Sequence, residues 1–249
     1  MKKLKYSTAV LSLFMVFAMG SCSSDNEPID PSIIINPDTP DDDPPGASTG
    51  DYWPAALNNE WVYELDGVEQ APTKIISINN IGGNTYYTFD SQTGTGQVLT
   101  GSATTRLRKT NATYYMRVDD ITVPPQNGMP GSTTTGAEYV ILKDNLDVGG
   151  NWTDTYSQTT TYTDPAIPAI TMNTTNNGFI VEKGISVTVN GETYNNVIKT
   201  KLVQSVTFAG QTTVTTTYYW FAKNVGPIKT TMEGTGAVYN QDLVSYTLN

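Results

Sequence analysis

Apolar and polar side chains alternate with a period of two at several places in this chain, and that constrains its fold more than any other feature. Trp61, Tyr63 and Leu65 fall on one side of an extended segment, with Val62, Glu64 and Asp66 on the other. Between Val197 and Phe208, the residues Ile198, Leu202, Val206 and Phe208 share a face, and Lys199, Lys201, Ser205 and Thr207 share the opposite one. Tyr114, Met116 and Val118 alternate in the same way with Tyr115, Arg117 and Asp119. Successive side chains of a strand point to opposite faces. The pattern therefore predicts antiparallel strands with one buried and one wetter face. No stretch carries the apolar spacing of a helix over a useful length.

Turn residues divide these segments. Asn190-Gly191 lies between Val187-Thr188-Val189 and Glu192-Thr193-Tyr194, and Asn-Gly suits a type I′ hairpin because both central residues need positive φ. Further breaks fall at Gly82-Gly83-Asn84, Asp119-Asp120, Gly149-Gly150-Asn151, Asn176-Asn177-Gly178 and Ala209-Gly210-Gln211. Many short-turn hairpins imply an all-β meander that must curl to bury its apolar face. Residues 51–249 are read as one antiparallel β domain, strongly curved, as a half-barrel. The proline-rich segments 122–136 and 164–168 read as loops, either subdomain seams or insertions lining a mouth. Leu57-Asn58-Asn59-Glu60-Trp61 echoes Leu146-Asp147-Val148-Gly149-Gly150-Asn151-Trp152. Each reads as a small corner delivering a core tryptophan, Trp61 or Trp152, into a strand.

The start of the chain has another character. Lys2, Lys3 and Lys5 precede an apolar stretch from Ala9 to Met19, and the small residues Gly20 and Ser21 precede Cys22, the only cysteine. That order is a secretory signal over residues 1–21, about half as long as the roughly 20 residues a membrane-spanning helix needs. Residues 22–50 hold seven acidic side chains and no Lys or Arg, with proline recurring. Such a composition marks a disordered, extended tether. Within it, Asp41-Asp42-Asp43 is read as a solvated cluster rather than a cation site. Without the three signal lysines the chain carries 11 basic and 24 acidic residues, a charge of −13, of which −7 lies in the tether and −6 in the β domain. A surface of that sign repels nucleic acid, which is excluded as a partner.

Chemistry is sparse. The chain has no histidine, which removes Ser-His-Asp and Cys-His catalysis and the usual zinc sites. Gly94-Thr95-Gly96 and Gly234-Thr235-Gly236 lack the third glycine of a dinucleotide loop and read as turns. Glu60, Glu64, Asp119, Asp120, Glu138 and Glu182 are the carboxylates available for acid–base work, and nothing singles out two of them. No catalytic residue, metal or cofactor is assigned. Tyr218, Tyr219, Trp220 and Phe221 are consecutive and must divide between the two sheet faces, as must Tyr86-Tyr87 and Tyr114-Tyr115. Tyr219, Trp220 and Phe221 are the ligand-contact candidates. The alternative is that such rings only shield the sheet's second face.

Met19-Gly20-Ser21-Cys22 resembles the bacterial lipobox, with Met in place of the commoner Leu, and implies diacylation of Cys22 as a membrane anchor. Ser23, Ser24, Asp25, Asn26 and Glu27 resemble the acidic signal that exports Bacteroidetes lipoproteins to the cell surface. A periplasm-facing protein on an ordinary solvated linker is the alternative. Four stretches, Tyr52-Trp53-Pro54 with Trp61-Val62-Tyr63, then 148–152, 189–197 and 219–229, resemble a group of uncharacterised bacterial lipoproteins with a curved sheet similar to LolA- and LolB-type carriers. The resemblance implies an outer-membrane lipoprotein that is not an enzyme and that binds or scaffolds an apolar ligand or another lipoprotein. A glycan-binding module and a structural or adhesive envelope protein are the competing readings.

Overall fold

The computed structural model describes residues 47–90, 92–93, 102–126, 128–234 and 237–249. The signal segment, Cys22, Ser23 to Glu27, nearly all of the acidic stretch and most of both Gly-Thr-Gly turns lie outside the described residues. Among the described residues the regular elements are all strands. In chain order they are β1 (Glu60–Leu65), β2 (Val68–Glu69), β3 (Thr73–Ile81), β4 (Asn84–Phe89), β5 (Gln92–Thr93), β6 (Ser102–Ala103), β7 (Thr105–Thr110), β8 (Thr113–Val118) and β9 (Ile121–Val123). There follow β10 (Ser132–Thr134), β11 (Ala137–Lys143), β12 (Asn151–Tyr162), β13 (Ile170–Val189), β14 (Glu192–Phe208), β15 (Gln211–Ala222), β16 (Gly226–Gly234) and β17 (Ala237–Thr247).

Fifteen strands form one open antiparallel sheet in the order β11-β8-β7-β4-β3-β1-β17-β16-β15-β14-β13-β12-β10-β9, with β2 beside β1. The expected curved meander is therefore what the chain forms. The Asn190-Gly191 turn joins β13 to β14 with both residues at positive φ, 48° and 83°, as a type I′ hairpin requires.

The echo between the two tryptophan corners proves to be a structural duplication. At the first corner Asn58 has φ 69°, and its N–H donates to the Ile75 carbonyl at 2.9 Å while the Ile75 N–H donates to the Asn59 carbonyl at 2.9 Å. At the second, Gly149 has φ 88°, and it and Gly150 make the same pair of bonds with Ile180, each at 2.9 Å. Trp61 then faces Thr73 across the ladder and Trp152 faces Gly178. Ile75 and Ile180, each fully buried, are followed by matching irregularities, at Ile75/Ser77 and at Ile180/Glu182. β1-β3-β4-β7-β8-β11 and β12-β13-β14-β15-β16-β17 are thus equivalent six-strand runs. They join through β1 and β17, the first strand of one and the last of the other.

The far ends of the two runs, β11 and β12, approach without a ladder of their own. The Val140 N–H donates to Asp154 Oδ2 at 2.8 Å and its carbonyl accepts from Trp152 Nε1 at 3.3 Å. Curvature brings the edges together, and side chains rather than backbone bridge them.

The core lies on the inner face. It includes Trp61, Ile75, Phe89, Leu107, Leu142, Ile180, Ile198, Phe221, Ile228 and Leu243. Register shifts in the β13–β14 pair around Gly184, φ 72°, and Asn196, φ 55°, bend the hairpin so that Asn190 Nδ2 donates to the Leu243 carbonyl on β17. Bulges of this kind add twist and redirect a strand. Val206 and Phe208 share the inner side with Ile198 and Leu202, as the alternation predicts, but Phe208 is 40 % exposed. The β13–β14 and β14–β15 ladders run on beyond the closed body, and a strand end with nothing opposite it cannot be buried.

Candidate functional site

The inner face is built from the chain's own residues at one end and becomes polar toward the other. Residues 48–53 run into the body and are pinned there. Ser48 Oγ and the Thr49 N–H donate to the two carboxylate oxygens of Asp144 at 2.6 and 3.0 Å. Lys109 Nζ pairs with Asp51 at 2.7 Å and donates to the Trp53 carbonyl at 3.0 Å. The Tyr114 hydroxyl accepts from the Tyr52 N–H and donates to the Gly50 carbonyl. Trp53 thereby comes to rest 5.7 Å from the Phe89 ring and 6.1 Å from the Phe221 ring. The apolar end of the concavity is filled by this plug.

Beyond the plug the inner positions are hydroxyl and amide groups. Thr200 and Asn176 are fully buried, with Thr174 and Thr217 nearly so. Gln204 donates to Asn176 Oδ1 and to the Tyr156 hydroxyl, each at 3.2 Å, and Tyr156 stacks on Tyr139 at 6.0 Å. Asn176 Nδ2, Thr200 Oγ1 and, in the plug, Trp53 Nε1 have no hydrogen-bond partner. Burial pushes the Tyr63, Tyr139 and Tyr219 hydroxyls well above the ordinary tyrosine range, as expected of rings held in a core.

Tyr219, Trp220 and Phe221 are divided by the strand period. Tyr219 and Phe221 are buried on the inner face and stack on each other at 5.8 Å. Trp220 is half-buried on the outer face beside Tyr218, 6.3 Å away. Lys199 lies over both rings, 5.6 Å from Tyr218 and 5.1 Å from Trp220, and Lys229 lies 5.9 Å from Trp220. Glu182 and Asp242 pair with those two lysines at 3.0 and 3.1 Å.

The first run carries a matching lattice. All three arginines of the chain, Arg106, Arg108 and Arg117, stand on the outer face of β7 and β8. Arg106 and Arg117 share Asp119 at 2.6 and 3.0 Å, and Arg108 pairs with Glu138, which also accepts from the Tyr86 hydroxyl at 2.7 Å. Arg108 lies 3.5 Å over the Tyr115 ring and Arg117 5.4 Å over Tyr86. Glu138 opposes Arg117 and Asp242 opposes Lys229 at equivalent ladder positions, so the duplication extends to charge. Burial alone would raise the Asp119 carboxyl, but the two guanidinium groups hold it below the ordinary range.

Asp119, Glu138 and Glu182, three of the six carboxylates open to acid–base work, are thus tied into ion pairs with cations on the outer face. Among the described residues no cluster of His, Cys, Asp and Glu could hold a metal ion. The two proline-rich loops do come together. Pro125, Met129 and Pro130 border Thr163 and Asp164 around an open groove of roughly 600 Å³. The inner plug was legible in sequence only as Tyr52-Trp53-Pro54. The arginine lattice was legible as three arginines spaced by even numbers or by a hairpin, a signal that needs the β7–β8 register to be read.

No family model matches the sequence, and no curated protein matches it. Among solved structures, the fold is similar to that of a Parabacteroides distasonis protein provisionally described as a lipoprotein. The TM-score is 0.53 at 13 % identity, covering 80 % of this chain and 99 % of the other. A Bacteroides fragilis protein provisionally described as exported, with a YmcC-like fold, gives a TM-score of 0.42 at 11 % identity, covering 80 % of this chain and 100 % of that one.

Proposed function

We propose that this chain is a non-catalytic lipoprotein of the cell envelope, anchored by acyl chains on Cys22, whose β body binds or scaffolds a partner from its outside. The observation that carries the reading is the plug. The segment that follows the tether is clamped by Asp144 and Lys109, and its Trp53 occupies the apolar end of the concavity. An internal apolar ligand would have to displace Trp53, whereas the outer face is already built and reachable. The lipoprotein description of the Parabacteroides distasonis protein supports the envelope address. Export to the outer-membrane surface belongs to the same proposal and rests on Cys22 followed by Ser23 to Glu27.

Intact mass measurement of the mature protein from cell membranes tests the anchor. The expected species begins at Cys22 and carries acyl chains, and a mature chain with a free thiol would overturn the address. Protease treatment of whole cells separates the two leaflets, with loss of the β domain expected for surface display.

Glycan binding is the second reading, favoured by the half-exposed Trp220–Tyr218 pair with Lys199 and Lys229 beside it. Aromatic rings stack on sugar faces while flanking cations take polar groups. Binding on a glycan array that is lost in Trp220→Ala supports it, and a blank array removes it. A blank array combined with lipid recovered from the purified protein returns the apolar-ligand reading.

A further inference from the structure

The duplication gives each seam of the molecule a counterpart. At the β1–β17 seam the two runs are joined by a ladder from Glu60–Thr247 to Leu65–Gln241. At the equivalent β11–β12 seam the Val140 amide and carbonyl are held instead by Asp154 and Trp152. We propose that the β11–β12 seam is a latch, the place where the curved sheet parts to expose its polar interior, and that the Asp154 side chain is what fastens it.

Three observations carry this. A backbone ladder opens only when many hydrogen bonds are lost together, whereas a seam held by two side-chain contacts can open locally. What lies behind Asp154 is polar and incompletely satisfied. Its direct cross-strand neighbour is Asn176, whose Nδ2 is buried without a partner, and Gln204 and Tyr156 adjoin. Leaving a buried donor unpaired is costly, and opening the seam would let water or a hydroxyl-bearing ligand satisfy it. Finally, Trp152 lies flat over Gly178, where any Cβ would overlap the indole, so one jaw of the seam is fixed while the β11 edge is free to move.

The latch has a pH sense. Burial raises the Asp154 carboxyl above the ordinary range, and hydrogen bonds from the Val140 and Thr155 amides offset this only in part. The charged groups facing it are Glu138, which raises it further, and Lys143, which lowers it. Tyr139 on β11 and Tyr156 on β12 also face this region. An ionised, half-buried carboxylate gains by reaching water, so the open seam has the lower pKa and the closed seam binds the proton more tightly. Acidification through the raised value therefore closes the latch, and neutral pH favours opening. The protonated carboxyl still offers an oxygen to the Val140 amide.

Hydrogen exchange of the purified full chain tests this, read as protection factors so that the intrinsic pH dependence of exchange cancels. At pH 7 the amides of 137–143 should exchange about tenfold faster than those of β1 and β17, a gap that corresponds to about 1.4 kcal/mol in opening free energy. The gap should narrow toward pH 5. Asp154→Asn, which keeps an acceptor without the charge, should raise protection of 137–143 at pH 7 and remove the pH dependence. Asp154→Ala should lower protection there while leaving β1 and β17 unchanged. Equal protection of the two seams at pH 7, or a gap that persists unaltered in Asp154→Asn, would overturn the proposal. Because Asp154→Asn and the wild-type pH series do not depend on the alanine variant folding, the test stands even if that variant unfolds.

Discussion

Individual residues here matter through what they exclude. Trp61 and Trp152 are both buried, and each spends its indole N–H on a backbone carbonyl, of Val225 at 2.8 Å and of Val140 at 3.3 Å. Truncating either to alanine should cost about 3–5 kcal/mol, measured by urea unfolding. The Trp152 variant should also loosen the β11 edge, because it removes one of the two fastenings at Val140. Gly178→Ala should destabilise by about 1–3 kcal/mol through overpacking against the Trp152 ring. Asp119 provides the acid-sensitive pair. Its folded pKa lies below the ordinary 3.8, so its bonds to Arg106 and Arg117 stabilise the fold above that pH and are lost as pH falls through the lower value. Asp119→Asn should therefore lower stability at neutral pH and flatten the unfolding midpoint below about pH 4. An unchanged acid limb would show that the pair contributes nothing.

At the scale of elements, the hairpins were the most legible part of the chain and the seams the least. The Asn190-Gly191 turn follows from a local rule, since two consecutive positive-φ residues are cheap only for this kind of dipeptide. Gly191→Val should cost about 1–2 kcal/mol, because a β-branched residue is forced into the left-handed region, and calorimetry would register it as a lowered melting temperature. The alternation that placed Ile198, Leu202 and Phe208 on one face was right about direction. It was silent about burial, because burial depends on what stands opposite. Likewise Tyr219, Trp220 and Phe221 could be divided between faces from sequence, but not assigned to them. Deciding which face is inner needs the sense in which the sheet curls, and that is set by bulges at Ile75/Ser77, Ile180/Glu182 and Trp220/Phe221.

For the whole molecule, the two six-strand runs are related but not independent. β1 of the first pairs with β17 of the second, and the plug at 48–53 is held by Lys109, Tyr114 and Asp144 of the first run while its Trp53 packs on Phe221 of the second. Neither run can bury its inner face alone. Residues 47–249 should therefore unfold in a single calorimetric transition, with the van't Hoff and calorimetric enthalpies agreeing, and a fragment ending at residue 146 should remain unfolded in isolation. Two separate transitions would show that the runs are autonomous.

From its residues alone the chain announced strands, turns, an export signal and a lone acylatable cysteine, because each depends on neighbours within a few positions along the backbone. The corner echo was visible for the same reason, since Leu57 to Trp61 and Leu146 to Trp152 are local units. Contacts that bridge long sequence separations were decided only by the fold. Lys109 reaches back to Asp51 and Trp53, Asp154 fastens a strand it does not pair with, and three arginines meet two carboxylates across β7, β8 and β11. Period two says which residues share a face, but curvature and register determine what that face meets, and both arise from how the entire sheet closes on itself.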